Sequence, residues 1–261
     1  MLDVPLALLC GLFGLAIGSF LNVVIWRVPR GESVVSPPSA CPGCGHAIRP
    51  RDNVPVLSWL LLRGRCRDCG EPIAWRYPVV ELLTAVVFAL VVLAVGASWA
   101  VPAYLYLAGI GIALSFIDLD VHRLPNAIVL PSYPVLAALL AAASWGAQDW
   151  SAFVRAAAGG AILYVFYFVL RLVYPRGMGF GDVKLAGLLG AGLGWLGWGS
   201  LVVGGFGAFV VGGSVAIVLL ALKRVVRTTA VPFGPSMVLG AAIGVAWGET
   251  LWSAYLGLMT G

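Results

Sequence analysis

Long apolar stretches separated by short polar segments run along almost the whole chain. Most are close to the roughly 20 residues that an α-helix needs to cross a bilayer. The pattern therefore predicts an all-α polytopic membrane protein with about eight spanning helices. The predicted helices are Leu6–Trp26, Val79–Ala97, Val101–Ile117, Ala127–Trp145, Ala152–Tyr174, Val183–Leu196, Ser200–Leu222 and Ser236–Leu258.

The sixth of these stretches, Val183–Leu196, fits the pattern least well. It is shorter than the roughly 17 residues of a minimal span. It is also rich in glycine, which allows helices to approach each other closely in lipid. A re-entrant segment, which enters the bilayer and returns to the same side, is the alternative at this position.

Basic residues are concentrated on one side of the predicted membrane. With the N-terminus outside, all of the 16 lysines and arginines except Arg155 fall in inner loops or at inner span ends. These are Arg27, Arg30, Arg49, Arg51, Arg63, Arg65, Arg67, Arg76, Arg123, Arg171, Arg176, Lys184, Lys223, Arg224 and Arg227. The positive-inside rule then predicts a multi-pass protein of the cytoplasmic membrane, with both termini outside.

Composition agrees with a lipid environment, since 61% of the residues are hydrophobic and 10% are charged. Soluble domains average about 25% charged residues. The formal net charge of +5 follows from the basic inner loops, so it requires no nucleic-acid partner. The oligomeric state is not readable, because glycine-rich faces serve packing within one chain as well as between copies.

A polar loop, residues 27–78, separates the first span (residues 1–26) from the remaining membrane domain (residues 79–261). It contains two Cys-x-x-Cys pairs, Cys41 with Cys44 and Cys66 with Cys69. Paired cysteines at this spacing are typical of a tetrahedral Cys₄ zinc ribbon. The loop is predicted to be cytoplasmic, where disulfides are disfavoured. Structural Zn²⁺ is therefore the favoured interpretation, and free or redox-active thiols are the alternative.

Aspartates lie at two predicted span ends on the inner side: Asp118 and Asp120 after the third span, and Asp182 before the sixth. Ionisable groups beside spans are candidates for function. Two carboxyl groups that share one proton can provide a charged general base and a protonated acid for attack by water on a carbonyl. Asp118 and Asp120 are two residues apart and would not share a helix face, so only one should pair with Asp182.

Less specific interpretations of these residues also exist. Asp182 could be a helix N-cap, with Lys184 extending its charge to the membrane surface. Asp118 and Asp120 could be solvated residues of the interface. Two other functional classes are then open: a transporter whose aspartates bind a cation, and a zinc-stabilised scaffold whose loop recruits a partner. The spans themselves are almost uncharged and show no internal repeat, which does not favour a transporter.

Taken together, the motifs resemble those of the type IV prepilin peptidases, or leader peptidases, a family of Gly-x-Gly-Asp aspartyl proteases. The ordered set covers nearly the whole chain. It comprises Gly18–Arg27, the paired Cys-x-x-Cys loop, Asn53–Pro55, Leu62–Gly64, Arg76–Pro78, Ile117-Asp118 with Leu124-Pro125, Gly179–Lys184 and Pro232–Pro235.

The resemblance implies that Asp118 and Asp182 are the catalytic pair, because Asp118 occupies the family's position relative to Leu124-Pro125. Asp120 is the alternative to Asp118. The same motif supplies the supporting residues Gly179, Gly181 and Lys184. The implied activity is cleavage of prepilin or pseudopilin substrates, used in type IV pili and protein secretion. The cut follows a basic leader at the cytoplasmic face.

Many members of the family also methylate the new N-terminal residue with S-adenosylmethionine. The resemblance implies that the cysteine loop is the methyltransferase region, with Gly64 and Arg65 as candidate participants. The residues give no independent signal for this cofactor, since no glycine-rich nucleotide-binding turn follows a predicted strand.

Overall fold

The computed structural model describes residues 3–175, 177–223 and 232–260. It is 77% helical and contains no sheet in those ranges, which confirms the all-α prediction. The helices are α1 (Asp3–Arg27), α2 (Leu57–Leu61), α3 (Arg76–Val95), α4 (Val101–Val121), α5 (Asn126–Ala147), α6 (Trp150–Val173), α7 (Phe180–Leu196), α8 (Trp198–Ala221) and α9 (Gly234–Thr260).

Seven of these helices, α1, α3, α4, α5, α6, α8 and α9, are long and apolar enough to cross a membrane. The predicted sixth stretch corresponds to α7, which has 17 residues. At about 1.5 Å per residue it is about 25 Å long, less than the roughly 30 Å of a hydrocarbon core. Helix α7 is therefore shorter than the other seven, and its crossing of the bilayer stays a prediction.

The chain divides into two compact units, Met1–Ala97 and Ser98–Gly261. In the first unit, α1 and α3 pack at backbone contact. A Cβ atom added to Gly18 would lie 2.6 Å from the Cα atom of Glu81, and one added to Gly14 would lie 2.8 Å from the Cα atom of Ala85. Small residues on α1 thus supply the close packing that holds helices together in lipid.

In the second unit, glycines bring two further helix pairs into backbone contact. A Cβ atom on Gly159 of α6 would lie 2.6 Å from the carbonyl oxygen of Gly190 of α7. On α9, a Cβ atom added to Gly240 would lie 2.3 Å from the amide nitrogen of Ala208 on α8. These glycine faces are therefore used for packing within the chain.

Helix α7 lies in the interior of the second unit, and a half-buried arginine bonds to its C-terminal end. Arg155 of α6 donates hydrogen bonds to the carbonyl oxygens of Gly194 at 2.8 Å and Trp195 at 2.7 Å. A cation at a helix C-terminus satisfies free carbonyls and complements the helix dipole. This contact gives a structural reason for Arg155, the one basic residue that falls outside the predicted orientation.

The predicted orientation of the termini stays a prediction. Three residues that support it, Arg176, Arg224 and Arg227, lie outside the described residues.

Candidate active site

Asp118 lies in the last turn of α4, next to the fully buried Ile117. Its side chain is 6% exposed. The backbone N–H of Gly234, at the start of α9, donates a hydrogen bond to Asp118 Oδ2 at 2.9 Å. His122 ends the helix in the left-handed conformation and returns its N–H to the Asp118 carbonyl oxygen at 2.9 Å. The carboxyl group is thus oriented by α9, which is distant in sequence, while the His122 N–H caps the backbone at the end of α4.

Asp182 lies in the first turn of α7 and is half-buried. The N–H of Gly179 donates a hydrogen bond to Asp182 Oδ2 at 3.0 Å. Such a bond satisfies a free N–H at the helix start, and a carboxylate there is also favoured by the helix dipole. The N-cap residue is Gly179, and Asp182 stands at N3, so the interpretation of Asp182 as the N-cap is wrong by three positions. Its bond to the N-cap N–H does not exclude a chemical role for the second carboxylate oxygen.

The two aspartate motifs lie against each other. A Cβ atom on Gly181 would lie 2.8 Å from the Cβ atom of Leu124, so only glycine fits there. The Lys184 ammonium donates a hydrogen bond to Asn126 Oδ1 at 2.8 Å. The turn after α4 is therefore packed directly onto the start of α7, and the segments that carry the two carboxyl groups meet at one end of this unit.

The negative charge of Asp118 also acts on the Asp182 carboxyl group. Asp182 lies outside the seven helices that are long and apolar enough to cross a membrane. Burial, and next the negative charge of Asp118, raise the pKa of Asp182 to about 6, while the Gly179 N–H and Arg171 act in the opposite direction. A carboxyl group with a raised pKa beside a second carboxylate is the arrangement in which a pair retains one proton.

Asp120 differs from Asp118 in its surroundings. The side chain of Asp120 is exposed, whereas that of Asp118 is buried against α9. Two positions along a helix correspond to nearly opposite faces. Their locations support Asp118 over Asp120 as the partner of Asp182, and the assignment remains a proposal.

Gly234 belongs to the Pro232–Pro235 motif, and the sequence pattern assigns it no role. In the structure its N–H orients Asp118, and the preceding Phe233 packs in an aromatic cluster. The Phe233 ring centroid lies 6.3 Å from that of Tyr167 and 5.5 Å from that of Phe209. Tyr167 is 1% exposed. The phenylalanine and glycine between two prolines were the sequence signal that marked this segment. Their contact partners could not be predicted, because those residues are distant in sequence.

The four loop cysteines form a second site, in the first unit. Their Sγ atoms all lie within 4.8 Å of one another and could hold a metal ion. The Sγ atoms of Cys41 and Cys69 are 3.7 Å apart. Zn–S bonds of about 2.3 Å in a tetrahedron give sulfur–sulfur distances of about 3.8 Å. The cysteine set therefore fits a closed zinc site.

The same pattern of backbone hydrogen bonds forms around each of the two cysteine pairs. Cys41 N–H donates to the His46 carbonyl oxygen at 3.0 Å, and Cys66 N–H donates to that of Glu71 at 2.8 Å. Gly45 and Gly70 have φ values of 72° and 75° and bond back to Cys41 and Cys66. Each pair thus forms a tight knuckle that needs glycine in the left-handed conformation.

Comparison with known proteins decides the family. The model of the type IV leader peptidase family matches residues 105–222, and that of the bacterial peptidase A24 N-terminal domain matches residues 12–95. The chain belongs to the type IV leader peptidase family. The C-terminal match contains both Asp118 and Asp182, and the N-terminal match contains all four loop cysteines.

Family relatives cover nearly the full length of the chain. The relative from Aeromonas hydrophila is 38% identical over 94% of this chain and 92% of its own length. The relative from Pseudomonas aeruginosa is 36% identical over 97% of this chain and 94% of its own length. The relative from Neisseria gonorrhoeae is 37% identical over 96% of this chain and 93% of its own length. Each is named prepilin leader peptidase/N-methyltransferase. No solved structure matches the chain.

These comparisons confirm the predicted family resemblance and favour a peptidase over the transporter and scaffold hypotheses. Membership in this family, together with the seven apolar helices, also identifies the chain as a multi-pass inner-membrane protein.

Proposed function

We propose that this chain is an aspartic endopeptidase that removes the basic leader from prepilin or pseudopilin substrates at the cytoplasmic membrane face, with Asp118 and Asp182 as the catalytic pair. The observation that carries the proposal is the packing of the two aspartate motifs onto each other, with Gly181 against Leu124 and Lys184 bonded to Asn126. Family membership supplies the reaction class.

The chemistry requires one charged and one protonated carboxyl group. The charged carboxylate removes a proton from water, and the water oxygen attacks the carbonyl carbon of the scissile peptide bond. The protonated carboxyl group donates to the carbonyl oxygen. Collapse of the tetrahedral intermediate breaks the C–N bond, and the leaving nitrogen takes up a proton to become the new amino terminus. No covalent enzyme intermediate is formed.

Residues around the pair have supporting roles in this proposal. Gly179 orients Asp182 through its N–H, and Gly181 permits the close approach of Leu124. Lys184 crosses from α7 to Asn126 and lies 4.7 Å from the ring centroid of Phe180, which fixes the start of α7. These contacts fix the two carboxyl groups in position relative to each other, which a two-carboxylate mechanism needs.

The membrane setting fits a substrate with a basic leader and a following apolar segment. With the N-terminus outside, both aspartates lie at the cytoplasmic end of their helices, as the distribution of basic residues supports. An apolar segment of the substrate would then lie in the bilayer while its leader projects into the cytoplasm. The bond between them would be presented at the depth of the two aspartates.

The cysteine loop is proposed to carry methylation of the new N-terminus with S-adenosylmethionine, because the relatives are named for this second activity. Zn²⁺ held by Cys41, Cys44, Cys66 and Cys69 would be structural, since four thiolates leave no open coordination position. Gly64 and Arg65 stand immediately before the second knuckle. Gly64 has a φ of 65° and packs on the Trp59 ring, so the loop backbone is tightly fixed at this point.

The proposal is tested by incubating the purified chain in detergent with a prepilin and S-adenosylmethionine. Mass spectrometry of the product is expected to find loss of the leader and one added methyl group on the new N-terminal residue. An unchanged prepilin after prolonged incubation with metal-loaded enzyme would reject the peptidase. A cleaved but unmethylated product would reject only the methyltransferase part.

Replacing Gly234 tests the contact that orients Asp118. A Cβ atom there would lie 2.9 Å from Asp118 Oδ2, so Gly234→Ala should displace the carboxyl group and lower the cleavage rate by about tenfold or more. Gly213→Ala is the matched control, since a Cβ atom at Gly213 in α8 has no neighbour within 4 Å. Equal initial rates for the two variants, at equal amounts of folded protein, would contradict the role of Gly234.

A further inference from the structure

A buried carboxyl group in the first unit takes no part in the proposed chemistry. Glu81 lies near the start of α3 and is 7% exposed. Its Oε2 atom accepts a hydrogen bond from the backbone N–H of Val56 in the cysteine loop at 2.7 Å. The hydroxyl of Ser19 on α1 also bonds to this carboxyl group. One side chain therefore joins α1, α3 and the loop.

The loop backbone is unusual where it meets Glu81. Val56 has a φ of 60° and a ψ of −50°, which is rare for a β-branched residue. Such a conformation persists only when the surrounding contacts determine it. The hydrogen bond to Glu81 is one such contact, and it lies at the residue that immediately precedes α2.

Helix α2 connects the anchored residue Val56 to the second cysteine knuckle. Trp59 of α2 donates its indole N–H to the Ile73 carbonyl oxygen at 3.1 Å. The Gly64 N–H donates to the Trp59 carbonyl oxygen at 2.8 Å, and a Cβ atom on Gly64 would lie 2.9 Å from the Trp59 ring. Gly64 and Ile73 flank Cys66 and Cys69. The contacts run without a gap from Glu81 through Val56 and Trp59 to the knuckle.

A second polar contact fixes the first turn of α3, where the loop ends, against α1. Asn22 of α1 is 9% exposed and donates a hydrogen bond to the Tyr77 carbonyl oxygen at 3.2 Å. Ser19 and Asn22 are three residues apart, so they lie on the same face of α1. The loop is thus held at Val56 by Glu81, while Asn22 fixes the start of α3, and Glu81 supplies the only charged side chain among these contacts.

We propose that Glu81 is a positioning residue that anchors the cysteine loop to the α1–α3 pair and thereby holds the methyltransferase region, Gly64 and Arg65, in its working position. The methyl-transfer part of this inference rests on the proposed function. Removing the acceptor leaves the Val56 N–H without its partner in a half-buried site, which is costly. The loop would then leave its position without loss of the cysteine ligands.

The test compares Glu81→Leu with Glu81→Gln, which keeps an amide oxygen that can accept from Val56. In the prepilin assay, Glu81→Leu is expected to lower methylation by about tenfold and to change leader cleavage by less than about twofold. Glu81→Gln is expected to restore methylation to within about threefold of wild type. Glu32→Leu, which removes an exposed glutamate of the same loop, is the matched control.

A readout that does not depend on methylation measures the anchor itself. Limited trypsin digestion should cut after Arg63 and Arg65 about tenfold faster in Glu81→Leu than in wild type, because local opening of the loop becomes easier. Glu81→Gln and Glu32→Leu should digest at the wild-type rate. Zinc content, measured alongside, is expected to stay equal among the variants.

The outcomes separate the two claims. Full methylation in Glu81→Leu, or parallel loss of methylation and cleavage, overturns the positioning role. Unchanged trypsin digestion of Glu81→Leu overturns the anchor. If wild type cleaves the prepilin but does not methylate it, the methyltransferase part of the proposed function fails, and the digestion rates alone then decide whether Glu81 anchors the loop.

Discussion

Replacement of Asp182 by asparagine is expected to abolish leader cleavage, lowering the rate by about 10²–10⁴-fold or more, the usual contribution of general acid–base catalysis. Asparagine keeps the size of the side chain and an oxygen for the Gly179 N–H, which is now bonded to Asp182. It cannot carry the charge or exchange the proton. Asp118→Asn should have an effect of the same size. When two residues act as one catalytic unit, removing either of them costs about as much activity as removing both.

Asp120→Asn is the matched control for both variants, because Asp120 is an exposed carboxyl group at the end of the same helix as Asp118. It should retain cleavage within about threefold of wild type. Initial rates on a prepilin, with membrane insertion checked for each variant, provide the measurement. Loss of activity in Asp120→Asn with retention in Asp118→Asn would move the assignment to Asp120. Retention in Asp182→Asn would reject the dyad.

Replacement of one loop cysteine is expected to cause a large loss of bound zinc. Cys66→Ser should reduce bound zinc from about one ion per chain to nearly none, because structural zinc sites need four good ligands. The second knuckle would then lose the ion that closes it. Elemental analysis of the purified protein checks the metal content, and methylation of the cleaved product should be lost with it.

Cys10→Ala is the matched control, since Cys10 is a buried residue of α1 and is not part of the cluster. It should leave the zinc content unchanged. Leader cleavage should fall less than methylation in Cys66→Ser, because both aspartates belong to the other compact unit. Wild-type protein without metal and with four reactive thiols would contradict the zinc site.

Much of the fold could be read from local features of the chain. The apolar stretches predicted the seven long helices to within a few residues at most ends, because the length needed to cross a bilayer is itself a local property. The two Cys-x-x-Cys pairs predicted the four-cysteine cluster for a similar reason, since each knuckle is built from adjacent residues.

The surroundings of α7 could not be read from the apolar pattern. Val183–Leu196 is as apolar as a span, but apolarity does not distinguish a helix surrounded by lipid from one surrounded by other helices. In the structure the apolar side chains of α7 are buried by its neighbours, and Arg155 and Tyr104 bond to its last carbonyl oxygens.

The sequence by itself determined the long apolar helices, the four-cysteine cluster and the small set of candidate aspartates, because each depends on residue type and short spacing. Only the tertiary structure decided which groups surround the aspartates. Gly234 reaches Asp118 across 116 residues, Leu124 lies on Gly181, and Val56 bonds to Glu81. Such contacts depend on how whole helices pack, and no short stretch of sequence records that packing.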